Sequence, residues 1–185
     1  MPKKLILYIA TSLDGYIAAP NDDLSFLSLV QKEGLDYGYN DFIKTVDTVI
    51  LGRKTYDWVI KNAGDISYPN QKVYVITKSD RQNTEKVEFY NGDLVELINK
   101  LKSQDGGNIF CDGGAQIVNE LLKHGMIDEF VISIVPVLLG DGVKLFQGGY
   151  TLQNLELISS KQFETGLMQL KYRKIKRFTK YHKKF

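Results

Sequence analysis

Apolar residues occur in this chain as short continuous runs, separated by segments in which they recur at helical spacing. A run that is apolar at consecutive positions is typical of a strand covered on both faces. The runs predict strands at residues 5–10, 47–51, 72–77, 87–90, 108–111 and 129–139. The segments between them predict helices at residues 22–33, 37–46, 54–61, 94–101 and 115–122, and a loop at residues 11–19.

The alternation of strands and helices predicts an α/β fold, with a mostly parallel sheet between two layers of helices. Residues 155–163 and 167–175 predict two further strands, joined as a hairpin through Glu164, Thr165 and Gly166. The hairpin adds antiparallel strands at one edge and makes the central sheet mixed. A length of 185 residues suits one such domain. We therefore expect a single three-layer α/β/α domain with a C-terminal antiparallel hairpin.

Composition narrows the classes of protein that this chain could belong to. With 43% hydrophobic and 25% charged residues, it has the composition of a folded globular protein. No apolar run approaches the roughly 18 residues of a membrane span, and the N-terminal run is too short for a signal-peptide core. Cys111 is the only cysteine, which excludes an internal disulfide and indicates a cytoplasmic protein. The two histidines, His124 and His182, form no metal-binding motif, so no metal site is expected.

The net charge of +2 conceals a basic C-terminus. Residues 171–185 hold eight Lys or Arg and no acidic residue, whereas the rest of the chain holds 16 basic and 22 acidic residues. A basic tail is one signature of nucleic-acid binding. However, Met168, Leu170 and Tyr172 alternate in the way of a final strand with one solvated face. Nucleic-acid binding by the tail is therefore the less expected interpretation.

Candidate chemistry lies directly after the predicted parallel strands, because ligands of open α/β sheets bind beyond the carboxyl ends of the strands. Glycine turns and basic residues occupy three such places, namely Gly52-Arg53-Lys54-Thr55, Lys78-Ser79 with Arg81, and Gly113-Gly114. Glycine lets a ligand approach the backbone, and a helix N-terminus favours a phosphate. Together they predict a cleft for a ligand with several phosphates. The alternative is that the glycines form ordinary tight turns and the basic side chains are solvated.

Other catalytic classes lack their motifs. The P-loop spacing, the Rossmann glycine pattern and the G-x-S-x-G nucleophile elbow are all missing from the sequence. Cys111 lies in a predicted strand without a local base, so we expect a buried structural thiol and not a nucleophile. A protein with so few candidate nucleophiles and metal ligands is suited to leaving the chemistry to a cofactor.

Taken in order, these strand-end motifs resemble the dihydrofolate reductase family. The matching segments are residues 5–19 with Ser-Leu-Asp-Gly, 49–56 (Val-Ile-Leu-Gly-Arg-Lys-Thr-Tyr), 73–77, and 109–116 (Ile-Phe-Cys-Asp-Gly-Gly-Ala-Gln). Residues 12–17 and 136–146 are more similar to the riboflavin-biosynthesis reductase branch, the C-terminal domain of the bifunctional deaminase-reductase. The resemblance implies a reductase domain at residues 1–176 and a basic tail at residues 177–185.

The resemblance implies that NADPH is the hydride donor. The residues that it places against the nicotinamide are Ala10, Gly15 and Ile17. Those that it places against the phosphates and the adenosine ribose are Gly52, Arg53, Lys54, Thr55, Thr77, Lys78, Ser79, Gly113, Gly114, Ala115 and Gln116. These positions lie at predicted strand ends and helix starts, so the implied contacts agree with the phosphate cleft expected from the glycine turns.

For the substrate, the same branch implies a ribosyl- or ribityl-aminopyrimidine phosphate, as in 5-amino-6-(5-phosphoribosylamino)uracil reductase. Asp14 is the candidate catalytic residue, which would orient the substrate or relay a proton. The candidate substrate contacts after the sixth strand are Leu139, Gly140, Asp141 and Gly142. Asp36 or Asp41 could take the place of the carboxylate that holds the pterin in dihydrofolate reductases, the alternative being helix capping or solvation.

Three other interpretations stay open at this point. The first is dihydrofolate or pterin reduction, although residues 24–27 lack the Pro-Trp pair that dihydrofolate reductases carry there. The second is a non-catalytic nucleotide-binding protein, and the third is a nucleic-acid-binding protein that acts through the basic tail. The riboflavin branch also implies a homodimer.

Overall fold

Eight strands form one mixed sheet in the computed structural model, which describes residues 2–175 of the chain. The ten strands are β1 (Leu5–Ser12), β2 (Tyr16–Ala18), β3 (Val46–Gly52), β4 (Lys72–Ile76), β5 (Val87–Tyr90), β6 (Asn108–Gly113), β7 (Glu129–Val135), β8 (Val143–Lys144), β9 (Leu155–Gln162) and β10 (Met168–Lys174). The main sheet has the order β5-β4-β3-β6-β1-β7-β10-β9, and β2 pairs with β8 in a separate two-stranded sheet. From β5 to β7 the neighbouring strands are parallel, whereas β10 runs antiparallel to β7 and β9. The predicted mixed sheet with its antiparallel hairpin is confirmed.

Helices cover both faces of this sheet. They are α1 (Tyr39–Lys44), α2 (Arg53–Ala63), α3 (Leu94–Lys102) and α4 (Ala115–Lys123). The core on one face joins α3 and α4 through Leu97 and Leu121, and the core on the other face joins α1 and α2 through Phe42 and Ile60. The predicted three-layer α/β/α architecture is therefore confirmed. Every helix within residues 2–175 is too short or too polar to cross a lipid bilayer.

The continuous apolar runs arise because alternate side chains of each central strand enter different cores. In β1, Leu5 and Leu7 pack on the side of α3 and α4, whereas Tyr8 packs on the side of α1 and α2. In β3, Ile50 belongs to the first of these cores and Val49 to the second. Because both faces of these strands are buried, the polar alternation of a half-exposed strand does not occur.

The helix predicted at residues 22–33 is wrong. Two short 3-10 segments, Pro20–Asp22 and Ser25–Val30, lie there instead. The carboxylate of Asp23 accepts hydrogen bonds from the backbone N–H and the hydroxyl of Ser25, at 2.8 and 2.9 Å. Such bonding of a side chain to nearby groups stabilises a turn and competes with α-helix formation.

Three further boundaries differ from the sequence prediction, for identifiable reasons. Helix α1 begins at Tyr39 and not at residue 37, because Gly38 has a φ of +84° and precedes the helix in a left-handed conformation. Strand β7 ends at Val135 and not at residue 139, because Pro136 has no N–H for the ladder. The loop predicted at residues 11–19 contains the end of β1 and the whole of β2.

Strand β9 forms an outer edge of the main sheet and is largely exposed. Three of its apolar side chains, Leu155, Leu157 and Ile158, are 40%, 52% and 43% exposed. The homodimer that the resemblance implies stays a prediction. The basic tail at residues 177–185 lies outside the described residues, so its proposed role in nucleic-acid binding also stays a prediction.

A buried amide ties the segment after β8 to helix α4. The Asn119 Nδ2 group donates hydrogen bonds to the carbonyls of Ala115 and Leu145, both at 2.7 Å. Its Oδ1 accepts a hydrogen bond from the Gln147 N–H at 2.9 Å. Because the amide is buried and its groups are paired, Asn119 fixes this segment beside the start of α4.

We expect Asn119→Ala to lower the free energy of unfolding by about 1–3 kcal/mol, because it leaves backbone groups of Leu145 and Gln147 without partners. Urea denaturation followed by circular dichroism measures the loss. Asn62→Ala is the matched control, because the Asn62 amide donates to the Trp58 carbonyl at an exposed site, at 2.8 Å. A loss for Asn119→Ala no larger than the loss for Asn62→Ala would contradict the anchoring role.

Candidate functional site

Two glycine turns face each other at the carboxyl edge of the parallel strands. Gly52 ends β3 and precedes α2, and Gly113 ends β6 and is followed by Gly114, which precedes α4. The register pairs Leu51 of β3 with Gly113 of β6, which brings both turns to the same edge. The structure thus brings together the two glycine segments that the sequence singles out.

The approach between these turns is too close for larger residues. A Cβ placed on Gly114 would lie 3.1 Å from Thr55 Oγ1, and one placed on Gly52 would lie 3.1 Å from Ile117 Cγ1. The N-caps of α2 and α4 are themselves glycines, so no cap side chain occupies the first N–H groups of either helix. We call the space bounded by Gly52, Thr55, Gly113 and Gly114 the glycine groove. Its two helix N-termini suit an anionic ligand.

At one end of the groove two arginines share a single carboxylate. Arg53 Nη1 donates to Asp57 Oδ2 at 2.8 Å, and Arg81 donates to both Asp57 oxygens, at 2.7 and 3.2 Å. These guanidinium groups, Arg81 above all, hold the pKa of Asp57 below its usual range. The shared carboxylate therefore orients the two arginines side by side. Two positive charges against one negative charge leave this cluster with a net positive charge.

The other residues that were predicted to contact the phosphates and the adenosine ribose form no comparable ion-pair cluster in the described part of the chain. Thr77 is buried at the end of β4, and its Oγ1 accepts a hydrogen bond from the Ser79 N–H at 3.1 Å. Lys54, Lys78 and Gln116 are exposed at the rim. Ala115, the first residue of α4, is buried beneath the groove.

A cavity of about 460 Å³ lies on the α1 and α2 side of β1 and β7. Strand β1, which pairs with the glycine-bearing β6, supplies the lining residues Tyr8 and Ala10. The apolar lining residues are Ala10, Leu24, Leu27, Val30, Leu35 and Leu167. The polar lining residues are Tyr8, Ser25, Ser28, Gln31, Asp36, Tyr37 and Ser133.

A fixed polar network forms part of the cavity wall. Gln169 Nε2 lies 3.1 Å from both the Tyr8 hydroxyl and Ser133 Oγ, and 3.2 Å from the Tyr37 carbonyl. The Tyr8 hydroxyl donates to the same Tyr37 carbonyl at 3.0 Å. Because these groups hold one another in place, they present hydroxyl groups in a defined geometry.

Sequence reasoning missed this network. Its members come from adjacent strands in which Ala10 pairs with Ser133 and Ser133 pairs with Gln169. The sequence signal that could have indicated this network is Ser133, a polar residue at an inward-facing position of an otherwise apolar strand. The pairing that makes Ser133 and Gln169 neighbours joins segments far apart in the chain.

Of the two aspartates proposed for the substrate side, only Asp36 lines the cavity. Its carboxylate accepts hydrogen bonds from the N–H groups of Gly38 and Asn40, at 2.9 and 2.8 Å. The bond from Asn40, then that from Gly38, lowers the pKa of Asp36, so the group is ionised at neutral pH. Asp36 thus stabilises the start of α1 and also contributes charge to the cavity. The Asp41 side chain is 89% exposed and pairs with Lys44 at 2.9 Å.

Asp14 connects the turn after β1 to the segment after β7. Its carboxylate accepts hydrogen bonds from the Ser12 hydroxyl at 2.5 Å and from the N–H groups of Leu139 and Gly140, at 3.1 and 2.7 Å. The Ser12 bond first, and then the bonds from Gly140 and Leu139, lower the pKa of Asp14 to about 2. Asp14 therefore carries no proton at neutral pH. This geometry supports a positioning role for Asp14 and gives no support to proton relay.

The other predicted residues of the turn after β1, of β2 and of the segment after β7 contribute mainly to packing. Gly142 has a φ of +130°, and a Cβ there would clash with the Ala18 carbonyl oxygen. Asp141 is exposed and accepts a hydrogen bond from the Gly142 N–H at 2.7 Å. Gly15 has a φ of +85°, and its carbonyl accepts a hydrogen bond from the Leu145 N–H at 2.9 Å. Ile17 packs against the core beneath α3 and α4.

Asp112 differs from the other carboxyl groups described above in the direction of its pKa shift. It lies in β6 between Cys111 and Gly113. Burial raises the pKa of Asp112, and a hydrogen bond from Tyr68 offsets part of that effect. Among the carboxyl groups of residues 2–175 with a resolved pKa shift, Asp112 alone is raised.

Neither the Cys111 thiol nor a metal-binding cluster of the described residues forms part of this site. Burial raises the pKa of the Cys111 thiol to about 12, so the group is neutral and inert at physiological pH. Within residues 2–175, no three His, Cys, Asp or Glu side chains gather closely enough to hold a metal ion.

The low pKa of Asp14 predicts a pH-dependent effect of Asp14→Asn. The folded carboxyl titrates at about 2 and an ordinary one at 3.8, so its contribution to stability is complete above 3.8 and is lost as the pH falls towards 2. The melting-temperature difference between wild type and Asp14→Asn should therefore be largest above pH 3.8 and shrink below it. Asp141→Asn, at an exposed carboxylate in the segment after β7, is the control. A difference that does not change with pH would contradict the assignment.

Comparisons with known proteins agree with this fold. The sequence matches the family model of the RibD C-terminal domain over residues 3–169. The uncharacterized protein YwjB of Bacillus subtilis (strain 168) is 43% identical over 164 residues, which cover 88% of this chain and 94% of YwjB.

Solved structures extend the likeness to the whole fold. A protein of Shewanella sp. PV-4 assigned to riboflavin biosynthesis has a TM-score of 0.83 and 31% identity, and the alignment covers 95% of this chain and 99% of that one. The diaminohydroxyphosphoribosylaminopyrimidine deaminase/5-amino-6-(5-phosphoribosylamino)uracil reductase of Thermotoga maritima has a TM-score of 0.70 and 20% identity, over 94% of this chain and 57% of that one. The dihydrofolate reductase of Enterococcus faecalis, complexed with NADP(H), has a TM-score of 0.64 and 14% identity, over 92% and 96%. The last two likenesses show the fold alone.

By its family match and its fold, the chain belongs to the RibD C-terminal domain family, with a dihydrofolate-reductase-like architecture.

Proposed function

We propose that this protein is an NADPH-dependent reductase that transfers a hydride to a heterocyclic substrate of the ribosylaminopyrimidine type. The observation that carries the proposal is that two glycine-capped helix starts lie at one edge of the sheet whose strand β1 also lines the cavity. A dinucleotide held in the groove would present its reactive ring to a substrate in the cavity. Membership of the RibD C-terminal domain family supports the same chemistry.

The groove fits the phosphates of such a cofactor by its own geometry. Gly114 keeps open a gap that a Cβ would narrow against Thr55, and the N–H groups at the starts of α2 and α4 would hold the pyrophosphate. Arg53 and Arg81 would hold the phosphate on the adenosine ribose, because paired guanidinium groups match its charge and geometry. When bound, NADPH supplies the hydride. The residues of this chain bind the cofactor, orient it and exclude water.

The cavity suits a heterocycle of nucleoside size. Its volume of about 460 Å³ lies within the range typical of small-molecule sites. Apolar side chains such as Leu27 and Leu35 would cover the faces of a ring. The hydroxyl groups of Tyr8 and Ser133, fixed by Gln169, would bind its exocyclic groups.

The direct test of this function is NADPH oxidation by the purified protein. We expect oxidation with a ribosylaminopyrimidine substrate, followed by the loss of reduced-nicotinamide absorbance, and little oxidation with dihydrofolate. Faster oxidation with dihydrofolate would identify a pterin reductase instead. Tight NADPH binding without oxidation by any of these compounds would favour a non-catalytic nucleotide-binding protein.

Replacing Gly114 tests the groove. We expect Gly114→Val to abolish NADPH binding and leave the fold largely intact, because its Cβ would meet Thr55 Oγ1 at 3.1 Å and its branches would enter the groove. Isothermal titration calorimetry measures binding, and circular dichroism checks the fold. Asn62→Val, at an exposed position in the last turn of α2, is the control. Unchanged NADPH affinity in a folded Gly114→Val protein would remove this glycine from the site.

Replacing Arg81 tests recognition of the adenosine phosphate. We expect Arg81→Ala to weaken NADPH binding about 10–100-fold, which is the cost of losing a charge-assisted hydrogen bond, and to leave NADH binding nearly unchanged. Lys86→Ala is the control, because Lys86 belongs to the same loop but pairs with Asp65 at 3.1 Å, away from Arg53. Equal losses for NADPH and NADH would argue against this phosphate contact.

A further inference from the structure

The charge of the cavity lining bears on the kind of substrate that it accepts. Among the described residues that line the cavity, Asp36 is the charged side chain at neutral pH, and none is a Lys, Arg or His. Both Asp36 oxygens accept backbone hydrogen bonds, from Gly38 and Asn40, which stabilise the ionised form. The lining therefore carries one fixed negative charge and otherwise hydroxyl, amide and apolar groups.

The lysines near this cavity are already paired with carboxylates. Lys32, which follows the lining residue Gln31, lies 2.6 Å from a Glu164 carboxylate oxygen. Lys44, whose charge acts on Asp36, pairs with Asp41 at 2.9 Å. Each of these cations is thus matched by a nearby carboxylate, and Asp36, which is exposed to solvent, remains the charged side chain of the cavity lining.

The cofactor end of the site has the opposite character. There Arg53 and Arg81 carry two positive charges against the single carboxylate of Asp57. A phosphate monoester carries about −1.5 to −2 at pH 7 and is costly to desolvate without a cationic partner. In this site, phosphate-binding chemistry is concentrated at the arginine end, whereas the cavity would add repulsion from Asp36.

We propose that the cavity accepts a heterocyclic base or nucleoside without a phosphate and discriminates against the corresponding 5′-phosphate. This inference rests on the proposed function and narrows its substrate class. A neutral substrate would hydrogen-bond to Tyr8 and Ser133, and a substrate with an amino or protonated ring nitrogen would also be attracted to Asp36.

The test compares 5-amino-6-ribosylaminouracil with its 5′-phosphate at saturating NADPH. We expect kcat/KM to favour the nucleoside by about tenfold or more, a difference of about 1.4 kcal/mol. The preference should fall as salt is added, because screening weakens repulsion between charges. A higher kcat/KM for the phosphate form would overturn the inference and leave the reductase function standing.

Two variants test whether the cavity charge causes the preference. The first, Asp36→Asn, should reduce the discrimination against the phosphate form, whereas its control Asp41→Asn, outside the cavity, should not change the discrimination.

The second variant, Ser28→Lys, should shift the kcat/KM ratio towards the phosphate form by supplying a cation at the lining. Ser103→Lys is its matched control, because both serine hydroxyls donate to the carbonyl three residues earlier, at 2.7 and 2.8 Å. A ratio that Ser28→Lys leaves unchanged in a folded protein would overturn the inference.

NADPH binding, measured by calorimetry on the same samples, separates the two proposals. If NADPH binds and only the phosphate form is reduced, the narrower inference is wrong and the proposed function holds. If NADPH binds and neither pyrimidine is bound or reduced, the substrate class is wrong and the inference fails with it. If NADPH itself does not bind, the proposed function fails.

Discussion

The proposed cofactor half of this site depends on the close approach of two helix starts at the ends of β3 and β6. Gly52 and Gly114 stand at the N-caps of α2 and α4, where a Cβ would lie about 3 Å from a neighbouring side chain. No cap side chain therefore occupies the first N–H groups of either helix. The N-terminal ends of the two helix dipoles add a positive potential there without any charged side chain. Arg53 and Arg81 extend that potential along the rim of the groove.

The two halves of the site differed in how far the sequence could predict them. The groove was predictable because its residues directly follow apolar strands, and the carboxyl ends of parallel strands meet at one edge. The cavity was not, because Tyr8, Ser133 and Gln169 become neighbours only through strand pairing between distant segments. Asp14 shows the same limit, since its partners at Leu139 and Gly140 are backbone N–H groups that no side-chain pattern reveals. The three-layer fold followed from alternating strands and helices, whereas the 3-10 segments at 20–30 followed from local side-chain bonds.

Electrostatics divide the site into regions with different tasks. The groove combines helix N-termini with an arginine pair, an arrangement suited to phosphates. The cavity carries the ionised Asp36 and a set of hydroxyl groups. Burial raises the pKa of Asp112 at the end of β6. The site thus combines a positively charged end with a cavity lining that holds no cation among the described residues.

The central claim is that a hydride passes directly from a nicotinamide in the groove to a substrate in the cavity. Mass spectrometry of the product formed with NADPH deuterated at its transferable position tests that claim most directly. We expect one deuterium at carbon in the reduced ribosylaminopyrimidine, and no deuterium at carbon when the solvent alone is deuterated. A product without the cofactor's deuterium, or a bound NADPH that is never oxidised, would contradict it.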